Sequence, residues 1–222
     1  MDDSARERLW AIAEARQVKN DPSHDFGHVR RVAYLAEKIA EAEGADRDVV
    51  LAAALLHDTV VYRKDDPQSH GESDESATAA REILAALPGF PAEKISAVQV
   101  CIRECSFSKA LAASSPESAV LQDADLLESL GAISVARTFS SGGQMCRPFY
   151  DPADPFCRSG GPVFASGKVV ATSLDLFYVR LLKAKERIRS SYALKIAERR
   201  EAFLRAFLEE LEAELGEAGE AA

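Results

Sequence analysis

The sequence predicts an all-α fold on three observations. Apolar residues recur at intervals of three and four through most of the chain, as they do on helices that bury one face. Capping and stop residues stand where those stretches begin and end. Only one short segment leaves room for strands. At 222 residues, 47% hydrophobic and 28% charged, the chain reads as one globular domain over 1–222.

The elements follow in chain order. Residues 4–18 are helix-like. From residue 24, Val29, Val32, Ala36, Ile39 and Ala40 line one face of a second helix, with Asp21 or Ser23 placed to cap it and Gly44 to stop it. Residues 46–57, DRDVVLAAALLH, are apolar almost all round, which implies a helix buried in the middle of the domain. Another helix over 73–87 ends in the LPGFP turn. Pro91 then suits a first helical position, and Ile95, Val98, Ile102 and Cys105 continue an apolar face. Ser115 as cap and Pro116 in the first turn open one or two helices that run to residue 139.

The pattern then breaks. Eight Gly or Pro residues between 142 and 162 make 141–171 an irregular loop of the length that usually carries function. Its aromatic residues Phe149, Tyr150 and Phe156 favour an ordered loop packed back on the body. Within it, VFASGKVVATS is compatible with one short strand pair. Two amphipathic C-terminal helices follow over 173–189 and 191–215, the second with Phe203, Leu204, Phe207, Leu208 and Leu211 on its inner face.

Charge and cysteine content narrow the function. The net charge is −9, but residues 209–222 hold six Glu and no Lys or Arg, which leaves about −3 for the rest. That tail reads as the frayed, solvated end of a helix. No basic stripe with interleaved aromatics appears, so a nucleic-acid polymer is disfavoured, whereas a small anionic substrate fits if a metal supplies positive field. The start, MDDSARERLW, is acidic where a signal peptide is basic, and no apolar run reaches the roughly 18 residues of a membrane span; the chain reads as cytoplasmic, without a membrane partner. Cys101, Cys105, Cys146 and Cys157 form no disulfide framework, and Cys101 with Cys105 reads as a pair of small core residues and not a zinc site.

The chemistry lies in the histidines. All four, His24, His28, His57 and His70, fall before residue 71. The buried helix over 46–57 ends in adjacent His57 and Asp58, both costly in apolar surroundings unless paired or coordinating. The alternative, a helix end where His57 meets the dipole and Asp58 opens a turn, stands for that pair alone. In VLQDADLLESLGAI, however, Asp123 shares a helix face with Val120, Leu127 and Leu130, and an inward carboxylate there needs a cation. His28 lies with Val32 and Leu35 in the same way. His28, His57, Asp58 and Asp123 thus form a mixed nitrogen and oxygen set that suits Mn²⁺, Fe²⁺, Mg²⁺, Co²⁺ or Zn²⁺ and leaves positions open.

With HxxRV at 28–32, His57-Asp58 and the distant Asp123, the chain resembles the HD-domain metal-dependent phosphohydrolases. HDFGHVRRV, LLHD, SFSK, LQDADLLESLGAISVARTF, the GG…RPFYDP loop and FYVRLLKAKERI…KIAERREAFL resemble, along nearly the whole chain, a bacterial subgroup that includes manganese-dependent nucleoside-triphosphate pyrophosphohydrolases. The resemblance implies an HD helical bundle, one divalent ion, Mn²⁺ first, on His28, His57, Asp58 and Asp123, and hydrolysis of a nucleotide or similar phosphate ester or anhydride. Asp58 would orient or deprotonate the attacking water. His24 and Lys64 are further catalytic candidates, and Arg30, Lys109 and Arg147 candidate substrate-binding cations, all by proximity to the motifs. His24 serves equally as a cap or surface residue, and His70 as a loop residue. The subgroup reads DADRLDALGAIG where this chain has DADLLESLGAIS, so Leu126 replaces an arginine, and Cys105 and Leu176 stand where many relatives carry histidine. Those losses support an alternative: a non-catalytic helical module that contains a metal and binds a nucleotide or a partner.

Overall fold

The computed structural model describes residues 1–16, 25–62, 67–106, 109, 111–159 and 170–219, and the elements among them are helices without a strand. They fall into two compact units, Met1–Asp125 with Arg189–Ala193, and Leu126–Ile188 with Leu194–Ala222. No helix among the described residues is long and apolar enough to cross a membrane.

The first unit is organised around α3 (Arg47–Leu56), whose side chains from Val49 to Leu56 are all buried. It packs against α1 (Asp3–Arg16), α2 (Phe26–Glu43), α4 (Glu72–Ala85) and α5 (Ile95–Cys105), as a helix apolar on every side must. Complete burial of Leu51 or Leu56 contributes about 2 kcal/mol each. Asp46 caps α3 by accepting the amides of Asp48 and Val49 at 3.0 and 3.3 Å.

The cap of α2 is Asp25, whose carboxylate accepts the His28 amide at 2.9 Å; Asp21 and Ser23, expected in that role, lie outside the described residues. Gly44 stops the helix in the left-handed region, at φ +73°, with its amide returned to Ala40 O. On the inner side of α2 the buried Glu37 is matched by Arg6 of α1 at 2.7 Å. Ser115 caps α6 (Pro116–Leu127) as expected, accepting Ser118 N at 3.1 Å.

The second unit departs from expectation in two places. Its α7 (Gly131–Gln144) runs through Gly142 and Gly143, where a loop was expected from residue 141. Gly142 is there for close approach and not for a turn: a Cβ on it would collide with Ser173 Oγ. The predicted helix over 173–189 is instead the short α8 (Asp175–Val179) followed by a 3-10 helix at Leu181–Arg187. Leu174, Phe177, Leu181, Ala184 and Ile188 are buried at alternating intervals of three and four, a spacing that a continuous helix shares. At its start the Asp175 carboxylate accepts the amides of Ala171 and Thr172, each at 2.8 Å. The expected strand pair falls mostly on 160–169, outside the described residues, and Val170 and Ala171 are not in a strand.

Of the loop's aromatic residues among the described positions, Phe156 packs inward while Phe149 stays 63% exposed. Phe149 meets Phe139 edge-on at 5.2 Å, Phe177 stacks on Phe207 at 5.6 Å, and Phe156 is buried. The last helix, α9 (Ser191–Glu217), buries Leu204 and Leu208, but Phe203 is 47% exposed and does not belong to its inner face.

Ion pairs set the pH range of stability. Burial pushes the Asp46 and Asp48 carboxyls up, yet the bonds from Lys94, at 2.8 Å to each, outweigh it and hold both below the usual 3.8. Glu201, bonded to Lys185 and Arg205, is likewise held below its usual 4.5. In the other direction, burial pushes the Cys101 thiol up from 9.0 to about 12. Groups lowered on folding stabilise the fold above their unfolded values, and that contribution is lost as pH falls through about 4 and below. A raised thiol stabilises below its unfolded value, and that contribution is lost as pH rises from about 9 to 12. The thermal midpoint is therefore expected to be flat near neutrality and to fall at both ends; a midpoint still rising below pH 4 would contradict these assignments.

Candidate metal centre

Three helices of the first unit bring ionisable side chains to one place. His28 sits in the first turn of α2, where the Asp25 cap fixes the backbone. His57 is the C-cap of α3, so its position is set by the most buried helix of the unit, and Asp58 follows directly. Asp125 comes from α6. One ligand atom each from His28, His57 and Asp125 lie within 4.8 Å of one another. His28 Nε2 is 3.5 Å from Asp58 Oδ2 and 3.5 Å from Asp125 Oδ1, while His57 Nε2 is 3.4 Å from Asp58 Oδ2.

The donor set fits a divalent cation. His57 Nδ1 donates to Ala54 O at 2.8 Å, which fixes the ring and leaves Nε2 as the nitrogen with a free lone pair. That Nε2 is buried and has no hydrogen-bond partner among the described residues, a costly arrangement for a polar atom unless a cation takes its lone pair. The imidazoles are 1% and 5% exposed but the carboxylates of Asp58 and Asp125 22% and 24%, so solvent and ligands reach the group past the acids.

Asp123 does not join the group. It is buried, as its place on the apolar face predicts, but its carboxylate accepts the amides of Arg189 at 3.0 Å and Ser190 at 2.7 Å, just before α9. A buried carboxylate can be satisfied by backbone donors at a helix start as well as by a cation. Asp125, two residues on, lies about 200° further round the helix and faces the histidines instead. Its signal in the sequence was only that spacing.

The other candidate residues divide. His24 and Lys64 lie outside the described residues. Arg30 is exposed, and two positions from His28 it points to the opposite side of α2. Arg31, three positions from His28, is the nearer cation in register; a Cβ at Gly27 would come within 3.2 Å of its guanidinium and 2.9 Å of Asp25 Oδ1. Lys109 binds Ser73 Oγ and Asp74 Oδ2, both at 2.7 Å, at the start of α4. Arg147 belongs to the second unit, where its amide donates to Gly142 O at 2.9 Å. His70 is exposed in a 3-10 turn, Pro67–Gly71, and is not in the candidate group. Cys105 ends α5 near both acids: burial, and then the charges of Asp125 and Asp58, push its thiol well above 9.0, so it stands there neutral.

The HD-domain family profile matches residues 25–130, the span that contains all four side chains. YpgQ of Bacillus subtilis, itself uncharacterized, is 30% identical over 217 residues, 94% of this chain and 91% of its own length. A crystal structure of a Lactobacillus plantarum protein superposes with a TM-score of 0.74 at 26% identity, over 97% of this chain and 99% of that one. An HD-superfamily hydrolase of Bacillus thuringiensis gives 0.67 at 28% identity, over 95% and 96%. YpgQ crystallised in complex with ADP gives 0.69 at 24% identity, over 94% and 97%.

Proposed function

The chain belongs to the HD-domain family, and from that membership we propose that it is a metal-dependent phosphohydrolase acting on a nucleotide, such as a (deoxy)nucleoside triphosphate from which it releases pyrophosphate. The observation that carries this reading is the convergence of His28, His57, Asp58 and Asp125, with the buried Nε2 of His57 left for a cation. The complex of the relative YpgQ with ADP supports a nucleotide as the ligand. In this proposal His28, His57 and Asp125 hold one divalent ion, Mn²⁺ before the alternatives, with Asp58 beside them. Such an ion, when bound, supplies a Lewis acid for a phosphoryl oxygen and acidifies water. Asp58, 3.5 and 3.4 Å from the two imidazoles and partly open to solvent, orients the attacking water and accepts its proton.

The test is direct. Purified protein stripped with a chelator is incubated with a panel of nucleoside mono-, di- and triphosphates and Mn²⁺, Mg²⁺, Co²⁺ or Zn²⁺, and phosphate and pyrophosphate are followed by ³¹P NMR. Release that needs the added ion is expected. Nucleotide binding with no product over long incubation would replace the enzyme with a metal-containing binding module.

A further inference from the structure

The segment that carries Asp58 is not held by α3 alone. Thr59 closes the end of that helix, its amide and hydroxyl donating to Leu56 O at 3.3 and 2.8 Å. Beyond it, the chain is bonded to α4, a helix that contributes nothing to the candidate ligand group. Val60 N donates to Ser76 Oγ at 3.0 Å, and the same hydroxyl donates to Val60 O at 3.3 Å. Tyr62 N donates to Glu72 Oε1 at 2.6 Å, and Tyr62 Oη donates to Glu75 Oε2 at 2.8 Å. Glu72, Glu75 and Ser76 stand at i, i+3 and i+4, so one face of the first turn of α4 carries all three.

Acidic residues are ordinary at a helix start, where they meet the dipole. Here they do more. Gly71, the N-cap of α4, makes no side-chain capping bond, and Glu72 and Glu75 reach across to Tyr62. Ser76 is fully buried, and its hydroxyl both donates and accepts, a pair of roles that alanine cannot supply.

We infer that Ser76 and Glu72 are positioning residues for Asp58: they fasten the 58–62 segment to α4 and thereby fix the carboxylate against the two imidazoles. The inference rests on the metal reading of the site. Ligating groups must be held to within about 0.5 Å, and loss of an outer partner typically weakens a metal site about 10- to 100-fold. Glu72 works through the Tyr62 amide, so glutamine, which keeps a carbonyl acceptor, preserves its role.

Calorimetric titration of the full chain with Mn²⁺ tests this, with melting of the metal-free protein measured beside it. Ser76→Ala and Glu72→Ala are expected to weaken Mn²⁺ roughly tenfold or more and to lower kcat with KM little changed. Glu72→Gln is expected to stay within about threefold of the parent in both readouts, which a purely structural loss of charge would not allow. Alanine variants that bind Mn²⁺ as the parent does, whatever their melting temperature, overturn the inference. Should Ser76→Ala fail to fold, the Glu72 pair decides alone. A parent protein that binds no Mn²⁺ overturns this inference and the proposed function together. A parent that binds Mn²⁺ but hydrolyses no nucleotide overturns only the proposed reaction, and the affinities still judge the fastening.

Discussion

Asp125→Ala is expected to strip the protein of tightly bound Mn²⁺ while leaving its fold intact, and Asp123→Ala to do the reverse. The two carboxylates are two residues apart on α6 and differ in what they face. Asp125 is partly open to solvent and 3.5 Å from His28 Nε2, so its removal deletes a proposed ligand without burying an unpaired charge. The loss in affinity is at least about 100-fold, beyond what outer partners cost. Asp123 is buried and accepts the amides of Arg189 and Ser190. Alanine there leaves those donors unmatched, at a cost of about 2–4 kcal/mol. Mn²⁺ titration and urea unfolding of both variants measure the contrast. Equal metal affinity in Asp125→Ala and the parent would remove α6 from the centre.

The second large effect is on turnover. Asp58→Ala is expected to lower kcat by roughly 10³-fold, within the range of a lost proton acceptor, and saturating Mn²⁺ is not expected to restore it. Asp58→Asn keeps the shape and a carbonyl oxygen beside the proposed ion but cannot accept the proton, so it is expected to bind Mn²⁺ better than the alanine variant and turn over as poorly. Steady-state rates at several Mn²⁺ concentrations separate the two roles. More than about a tenth of parental turnover in either variant at saturating Mn²⁺ would leave Asp58 with no part in proton transfer.

Much of this was legible in the sequence, and the failures have physical causes. The central burial of α3 follows from a segment apolar on every side, and the meeting of His28 with His57 from two imidazoles on buried helix faces. Asp123 was legible as buried but not as satisfied, because apolar neighbours reveal that a carboxylate points inward and not which donor meets it. Its donors come from residues 189 and 190, in a segment whose own pattern says nothing of Asp123. The division of 173–189 into α8 and a 3-10 helix was hidden because the same apolar spacing serves both. Gly142 read as punctuation, since glycine marks a turn and a close approach alike. Ser76 and Glu72 carry no motif at all. A hydroxyl that grips a backbone sixteen residues away is visible only in three dimensions.

The residues of the candidate site are unevenly spread along the chain: His28, His57 and Asp58 lie within one early stretch, and Asp125 follows sixty-seven residues after Asp58. During synthesis, a nascent chain that has cleared the ribosome only through residue 58 therefore owns two of these imidazoles and one carboxylate but not the last acid. On the proposed metal reading, an ion would reach full affinity once α6 has docked, and by mass action would then oppose the undocking of that helix. On that reading, ion supply would act late in the maturation of this chain, through the acid that arrives last.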